Sequence, residues 1–221
     1  MKVQQLNKFK LPKNFRGKNA FIVQLWWLVQ GTLFRMSPQF LYGFRRFLLR
    51  LFGAKIGKKV IIRPSAQITY PWKVTIGDYS WIGDNVVLYS LGEIEIGKKV
   101  IIRPSAQITY PWKVTIGDYS WIGAEVVLYS LGEIEIGANT VISQKSYICT
   151  GSHDYLQIDF PIFAKKIIIK DECWLATDVF VAPGITIDKG TVVGSRSSVY
   201  KDLPGNKICI GNPAQIIKNR G

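Results

Sequence analysis

IGKKVIIRPSAQITYPWKVTIGDYSWIGDNVVLYSLGEIE, residues 56–95, is followed at once by the same forty letters over 96–135, changed at two places. Asp84 and Asn85 in the first copy are Ala124 and Glu125 in the second. Cut before each aliphatic residue that opens a unit, either copy divides into lengths of 6, 6, 8, 6, 6 and 8. The pattern goes on as IGANTV and ISQKSY from Ile136, then returns as IKDECW, LATDVF, VAPGIT, IDKGTV and VGSRSS from Ile169.

An aliphatic residue every six places, with a small or β-branched residue four places on (Val60, Ala66, Ser80, Val86, Thr140, Ser146), is neither a helical period nor strand alternation. It predicts short strands and tight corners wound as a solenoid of parallel β coils, three units to each turn of a triangular prism. Ile56, Ile62, Ile68, Ile76, Ile82 and Leu88 are expected to stack inside it. The glycines after the opening aliphatics are expected to ease the corners. Each eight-residue unit carries a two-residue bulge at a corner. Forty residues then make two whole coils, so the second copy adds coils without shifting any downstream register. At ~4.8 Å between adjacent strands it lengthens the prism by about 10 Å. Natural repeats diverge, so near-identity marks a recent or deliberate insertion.

The remaining sequence divides around this segment. Residues 1–55 read as a basic helical arm, 56–203 as the prism, and 204–221 as a tail. A chain of 221 residues with 48% hydrophobic content is expected to pack. Of the formal charge of +14, the arm supplies +11, from eleven Lys and Arg and no Asp or Glu. Such a field attracts phosphates, anionic lipid or nucleic acid.

Phe21, Leu25, Trp26, Leu28 and Val29 are expected to crowd one side of a first helix. After Ser37–Pro38, Phe40, Leu41, Phe44, Leu48, Leu49 and Phe52 line a second, with Arg45, Arg46 and Arg50 on its other side and Gly53 as its stop. The pair reads either as a cap on the open end of the solenoid or as a basic amphipathic surface at a membrane. No recognised nucleic-acid motif accompanies it, so nucleic acid is not an expected partner.

Cys149, Cys173 and Cys209 show no CxxC spacing and suit a reducing compartment. No stretch reads as a cleavable signal peptide, and Ala20–Val29 is too short an apolar run to span a bilayer. The expected location is cytoplasmic, with peripheral association at an inner membrane.

The repeat breaks once, over residues 149–168. Long loops on rigid scaffolds are where chemistry tends to sit, and this one holds His153, the single histidine of the chain. Asp154 beside it could orient an imidazole. A single histidine cannot supply the three-histidine zinc site of the carbonic anhydrases built on hexapeptide solenoids, so no metal is expected. General-base chemistry remains, with neutral imidazole taking a proton from an attacking hydroxyl.

With the hexads, the loop and TGSHD in view, the chain resembles the hexapeptide-repeat acyltransferases, and within them the acetyltransferases of exopolysaccharide assembly. The resemblance runs through FRGKNAFIVQLWW, LLRLFGAKIG, ITYPWKVTIGDYSWIGD, ISQKSYICTGSHD, CWLATDVFVAPGITI and GNPA, almost the whole chain. It implies a left-handed parallel β-helix, against the usual crossover hand, and a homotrimer with active sites between adjacent subunits. It also implies acetyl-CoA in a groove between prisms and a loop histidine, matched by His153, that deprotonates a sugar hydroxyl attacking the thioester. Backbone N–H groups would stabilise the oxyanion.

The donor-site motif carries over less completely. Thr177 in WLAT and Ser195 in GSRS fall on CoA-contact positions, and Tyr200–Lys201 stands where a Thr-Lys pair is usual. Gln215 and Lys218 replace two arginines, so phosphate binding would rest on Lys201, Lys218 and Arg220. The acceptor side points to Asp84, Asn85 and Asp154. In the family the unit carrying Asp84 lies one coil before the histidine, and here that coil carries Ala124–Glu125. Either an acceptor contact has been removed, or the changes only adjust an exposed corner. Two functions follow as expectations. One is an acetyl-CoA-dependent O-acetyltransferase acting on an exopolysaccharide or its lipid-linked repeat unit. The other is an engineered, coil-extended scaffold with weakened or no activity.

Overall fold

The computed structural model describes residues 16–110, 112–158 and 160–221. The first fifteen residues of the expected arm lie outside that range. From Lys55 on, the chain winds as a parallel β-solenoid with three faces, each face a parallel sheet. On the first face Ile56, Ile76, Ile96, Ile116, Ile136, Ile169 and Ile187 lie in register. Ile62, Ile82, Ile102, Ile122, Ile142, Leu175 and Val193 do so on the second. Ile68, Leu88, Ile108, Leu128, Ile148, Val181 and Val199 complete the third. All of these side chains are buried. Burying one such aliphatic side chain is worth about 1.5–3 kcal/mol, so the hexad opener is the residue on which each corner-to-corner strand depends. Both copies fit as two whole coils, and the ladder passes from 56–95 into 96–135 and on to Ile136 without a slip.

The glycines act differently from the expectation. Gly57 and Gly77 do not have positive φ, and a Cβ on Gly77 would lie 2.6 Å from the Gly97 carbonyl carbon of the next coil. They permit close approach of coils. The left-handed corner positions fall on non-glycine residues such as Lys59, Asn85, Lys99 and Glu125, at φ 51–59°. Close approach also lets Asp78 and Asp118 accept hydrogen bonds of 2.7 Å from the N–H of Lys58 and Lys98.

The first coil presents an edge with no preceding strand, and two helices cover it. Helix α1 spans Ala20–Val29 and α2 spans Tyr42–Leu51, joined through a π turn at Gln30–Phe34. Asn19 caps α1 by accepting from the Ile22 N–H. Gly53, at φ +92°, ends the arm after α2. Arg45 Nε donates to the Ile62 carbonyl at 2.7 Å, Arg46 Nη1 to Val60 at 2.8 Å, and Arg50 to Ile56 and Gly57. Trp26 Nε1 donates to the Ile68 carbonyl while Gln30 Oε1 accepts from the Ile68 N–H. Edge carbonyls that would otherwise recruit another strand are thus satisfied by side chains. Arg45 is fully buried, and that burial pulls its pKa down.

The expected sidedness of the helices is corrected in part. Trp26, Leu48 and Leu49 are buried, but Phe21, Leu25, Leu28, Phe40 and Phe44 are exposed while Arg45 faces inward. The docking surface needs donors for carbonyls, so arginines occupy it. At the far end the strand Lys207–Gly211 continues the second face and turns back antiparallel as Ala214–Asn219. Arg220 Nη1 donates to the Glu172 and Gly190 carbonyls.

Candidate active site

The loop leaves the prism at the corner between the third and first faces. Its stems form a short antiparallel ribbon, Gly151–His153 against Ile162–Ala164. Both stems are tied to the second copy. Thr150 Oγ1 donates to the Tyr129 carbonyl and accepts from the Gly132 N–H, and the Lys165 N–H donates to the Thr150 carbonyl. Lys166 meets Glu135 at 2.6 Å and Glu133 at 3.2 Å. The hydrogen bond to Glu135, more than that to Glu133, raises its pKa. The prism thereby holds the base of the hairpin.

His153 is exposed on that hairpin, its ring stacked on Phe160 with centroids 4.3 Å apart and planes 13° from parallel. Nδ1 lies 3.0 Å from the Phe160 carbonyl oxygen. A carbonyl only accepts, so this contact is a hydrogen bond when Nδ1 carries the proton. Nε2 then carries the lone pair, with no partner among the described residues. Phe160 itself sits at φ +45°, an unusual conformation for an aromatic residue. Sequence reasoning missed this partner, because a backbone carbonyl has no letter; the only signal was the Phe160–Pro161 pair, whose first residue stands seven places after the histidine.

Asp154 does not orient the imidazole. Its carboxylate accepts from the Leu156 N–H at 3.0 Å and Gln157 Nε2 at 2.7 Å, closing its own turn. With His153, Tyr155, Gln157, Pro161, Phe163 and Lys165, Asp154 lines an open depression of about 330 Å3. Cys149 is a poor rival nucleophile. Burial raises the pKa of its thiol, which donates to the Gly151 carbonyl at 3.1 Å.

The other singled-out residues lie elsewhere. Asp84, Ala124, Gln144, Thr177 and Ser195 share one column, at the corner between the second and third faces. Thr177 and Ser195 are in consecutive coils, joined by the Arg196 N–H donating to the Thr177 carbonyl. Asp84 is four coils from Thr177, roughly 19 Å at the strand spacing. Its carboxylate is engaged by Arg63 Nε at 2.8 Å and Ser65 Oγ at 3.0 Å. Asn85 is exposed beside it, its N–H donating to Ser65 Oγ. Tyr200 and Lys201 are exposed at the corner from which the loop springs, two coils further on. Lys218 is exposed on the terminal hairpin, and Arg220 is held by prism carbonyls. The single chain does not gather the donor residues onto one corner. Among the described residues no cluster of His, Cys, Asp and Glu could hold a metal.

A parallel β-solenoid with one histidine-bearing hairpin at a corner places the chain among acyltransferases of this fold. The N-acyltransferase AntD of Bacillus cereus, solved with dTDP and 3-hydroxybutyryl-CoA, aligns at a TM-score of 0.56 and 26% identity, over 80% of this chain and 88% of AntD. An AntD variant solved with dTDP-4-amino-4,6-dideoxyglucose and coenzyme A aligns at 0.55 and 25%, over 80% and 89%. The particular family is defined by sequence. WcaF of Escherichia coli K12, named as a colanic acid biosynthesis acetyltransferase, is 54% identical over 218 residues, 99% of this chain and 98% of WcaF. The WcaF of Shigella flexneri matches equally. The chain belongs to this family of acetyltransferases and is an enzyme of acyl transfer. No family model matches the chain.

Proposed function

We propose that the chain transfers an acetyl group from acetyl-CoA to a hydroxyl of an exopolysaccharide sugar or its lipid-linked repeat unit. The observation that carries this reading is the imidazole of His153, anchored through Nδ1 by the Phe160 carbonyl with Nε2 free. The sugar O–H gives its proton to Nε2 as its oxygen bonds to the thioester carbonyl carbon. The tetrahedral intermediate then expels the CoA thiolate, which takes the proton back from the imidazolium. An acetyl ester and free CoA result, and the histidine is restored.

The donor groove is proposed to lie between two subunits of a homotrimer. The division of Thr177 and Ser195 from Tyr200 and Lys201 onto different corners supports this, since each corner would meet its complement on a neighbouring prism. Lys201 and Lys218 would face the CoA phosphates. Asp84, Asn85 and Asp154 remain candidate acceptor contacts, with Asp84 the weakest because Arg63 and Ser65 occupy it. The lipid-linked acceptor would place the enzyme at the cytoplasmic face of a membrane. A second reading, a coil-extended, engineered scaffold with little turnover, is favoured by one observation: the coil preceding the loop-bearing one carries Ala124 and Glu125 where the first copy has an acid and an amide.

The test is His153→Ala, with acetyl-CoA binding followed by calorimetric titration. General-base catalysis is worth about 10²–10⁴ in rate, so turnover should fall by that factor while donor binding persists. Unchanged acetyl transfer would overturn the mechanism, and an inactive parent that still binds donor would support the scaffold.

A further inference from the structure

An amphipathic helix on a soluble protein buries its apolar side and wets its charged side. The arm departs from that rule. In α2, Arg45 is buried and Arg46 and Arg50 reach the prism carbonyls, while Phe44, Phe47 and Leu51, spaced i, i+3, i+7, remain 37%, 57% and 66% exposed. In α1, Val23 and Trp26 face the prism, and Phe21, Leu25 and Leu28 occupy the opposite side in solvent. Met36 and Phe40, between the helices, are 79% and 76% exposed. Soluble proteins seldom leave so much apolar surface together without a use for it.

We propose that this apolar surface of the arm docks into the interface of an anionic bilayer, with the prism standing away from the membrane. The inference rests on the membrane placement in the proposed function and not on the acetyl-transfer chemistry. Charge complementarity selects the occupant. Residues 1–55 carry eleven cations and no acid. Lys18, Arg35 and Lys55 are exposed around the helices, free of the carbonyl contacts that hold Arg45, Arg46 and Arg50. A second copy would bring an equally cationic arm against the first, whereas anionic headgroups attract it. No helix among the described residues is long and apolar enough to cross a membrane. Ten-residue helices can instead lie in the interface plane, with apolar side chains below the headgroups and cations among them.

The arginine bonds to the first coil give the docked arm a rigid coupling to the prism. They also remove three cations from the lipid-facing set, so apolar insertion rather than α2's arginines must carry the binding.

The experiment is flotation of the full chain with phosphatidylcholine vesicles containing about 30% phosphatidylglycerol, against phosphatidylcholine alone. The full chain should float with the anionic vesicles. The triple variant Leu28→Ser, Phe47→Ser, Leu51→Ser should lose about tenfold or more in partitioning, with unchanged circular dichroism and unchanged acetyl transfer to a soluble acceptor. Absence of flotation overturns the proposal. So does flotation insensitive to these substitutions, which would mean adsorption by charge alone. A lipid-free self-association abolished by the triple variant would assign the surface to a second copy, and flotation appearing only after residues 2–15 are deleted would assign it to the chain's own N-terminal segment. Loss of acetyl transfer in a chain that still floats would count against the enzymatic reading and leave this one standing.

Discussion

The two forty-residue copies differ at two letters, yet they do different work. The first coil of the first copy receives the helical arm. There Tyr70 is buried, Trp72 stacks on it at 5.3 Å, Trp72 Nε1 donates to the Arg16 carbonyl, and Pro71–Lys73 form a 3-10 turn. In the second copy the same letters have no arm to meet. Tyr110 is 48% exposed, Trp112 is 73% exposed, and the strand on the third face runs one residue further, to Thr109. Among the described residues, the buried Thr109 Oγ1 has no hydrogen-bond partner. At the other end the roles reverse. Tyr129, Gly132, Glu133 and Glu135 of the second copy hold the histidine-bearing hairpin, while Glu93 and Glu95 of the first meet Lys113 and Thr115 of the next coil. A single copy would carry both duties, the arm on its first coil and the loop on its second. Doubling it separates them by two coils and leaves an interior stretch with neither. Local sequence therefore sets the coil, and tertiary partners set the conformation of its eight-residue corner.

The strongest way to break this contrast is to remove the arm's grip on the first copy. Arg45→Met keeps the stem and deletes bonds to the Ile62 and Pro38 carbonyls and to Ser37 Oγ. Leaving buried acceptors unmatched costs about 1–3 kcal/mol each, so chemical denaturation should show a loss of roughly 3 kcal/mol. A loss below about 0.5 kcal/mol, the range of an ordinary surface change, would mean the arm does not cap the edge.

The next effect compares identical residues. Trp72→Ala removes a stacked, hydrogen-bonded ring and should cost about 2 kcal/mol, below the 3–5 of a fully buried aromatic. Trp112→Ala should stay within about 0.5 kcal/mol. Equal costs in thermal or denaturant unfolding would show that the two copies share one environment after all.

The hexad period made the prism legible, because each coil repeats the same demand for an aliphatic opener and any other register would expose it. Counting hexads also puts Thr177 and Ser195 in one column, since the corner is a fixed number of residues after each opener. The arm was legible as helices but not in its sidedness. Arginine on a helix reads as solvent-facing until the carbonyls of an uncovered strand edge are known to lie opposite. His153 was legible as the sole imidazole in the sole long break. Its orientation was not, because the group that holds it is the Phe160 carbonyl, whereas Asp154, the neighbour with a suitable letter, folds back on its own turn. The corner glycines were misread for a similar reason: what they avoid is the backbone of the next coil, which is twenty residues away in sequence.

The smallest expected effect concerns the two changed letters themselves. In the first copy Arg63, Ser65 and Asp84 form a bonded corner across two coils. In the second, Arg103 and Ser105 stand in the same places, but position 124 is alanine and Arg103 is exposed without a side-chain partner among the described residues. Ala124→Asp should rebuild the corner and stabilise the chain by about 0.2–1 kcal/mol, the worth of a partly exposed ion pair. The gain should shrink in high salt and vanish in an Arg103→Met background, which makes a double-mutant cycle the right measurement. Glu125→Asn acts through the backbone instead. Position 125 sits at φ +59°, where asparagine is better tolerated than glutamate, so a few tenths of a kcal/mol independent of salt is expected. If Ala124→Asp gives nothing in the cycle, the corner is indifferent to the pair and the two copies differ only in what they touch. If it also raises turnover, the acid at this column contributes to acceptor binding, and its absence beside the loop has a functional cost.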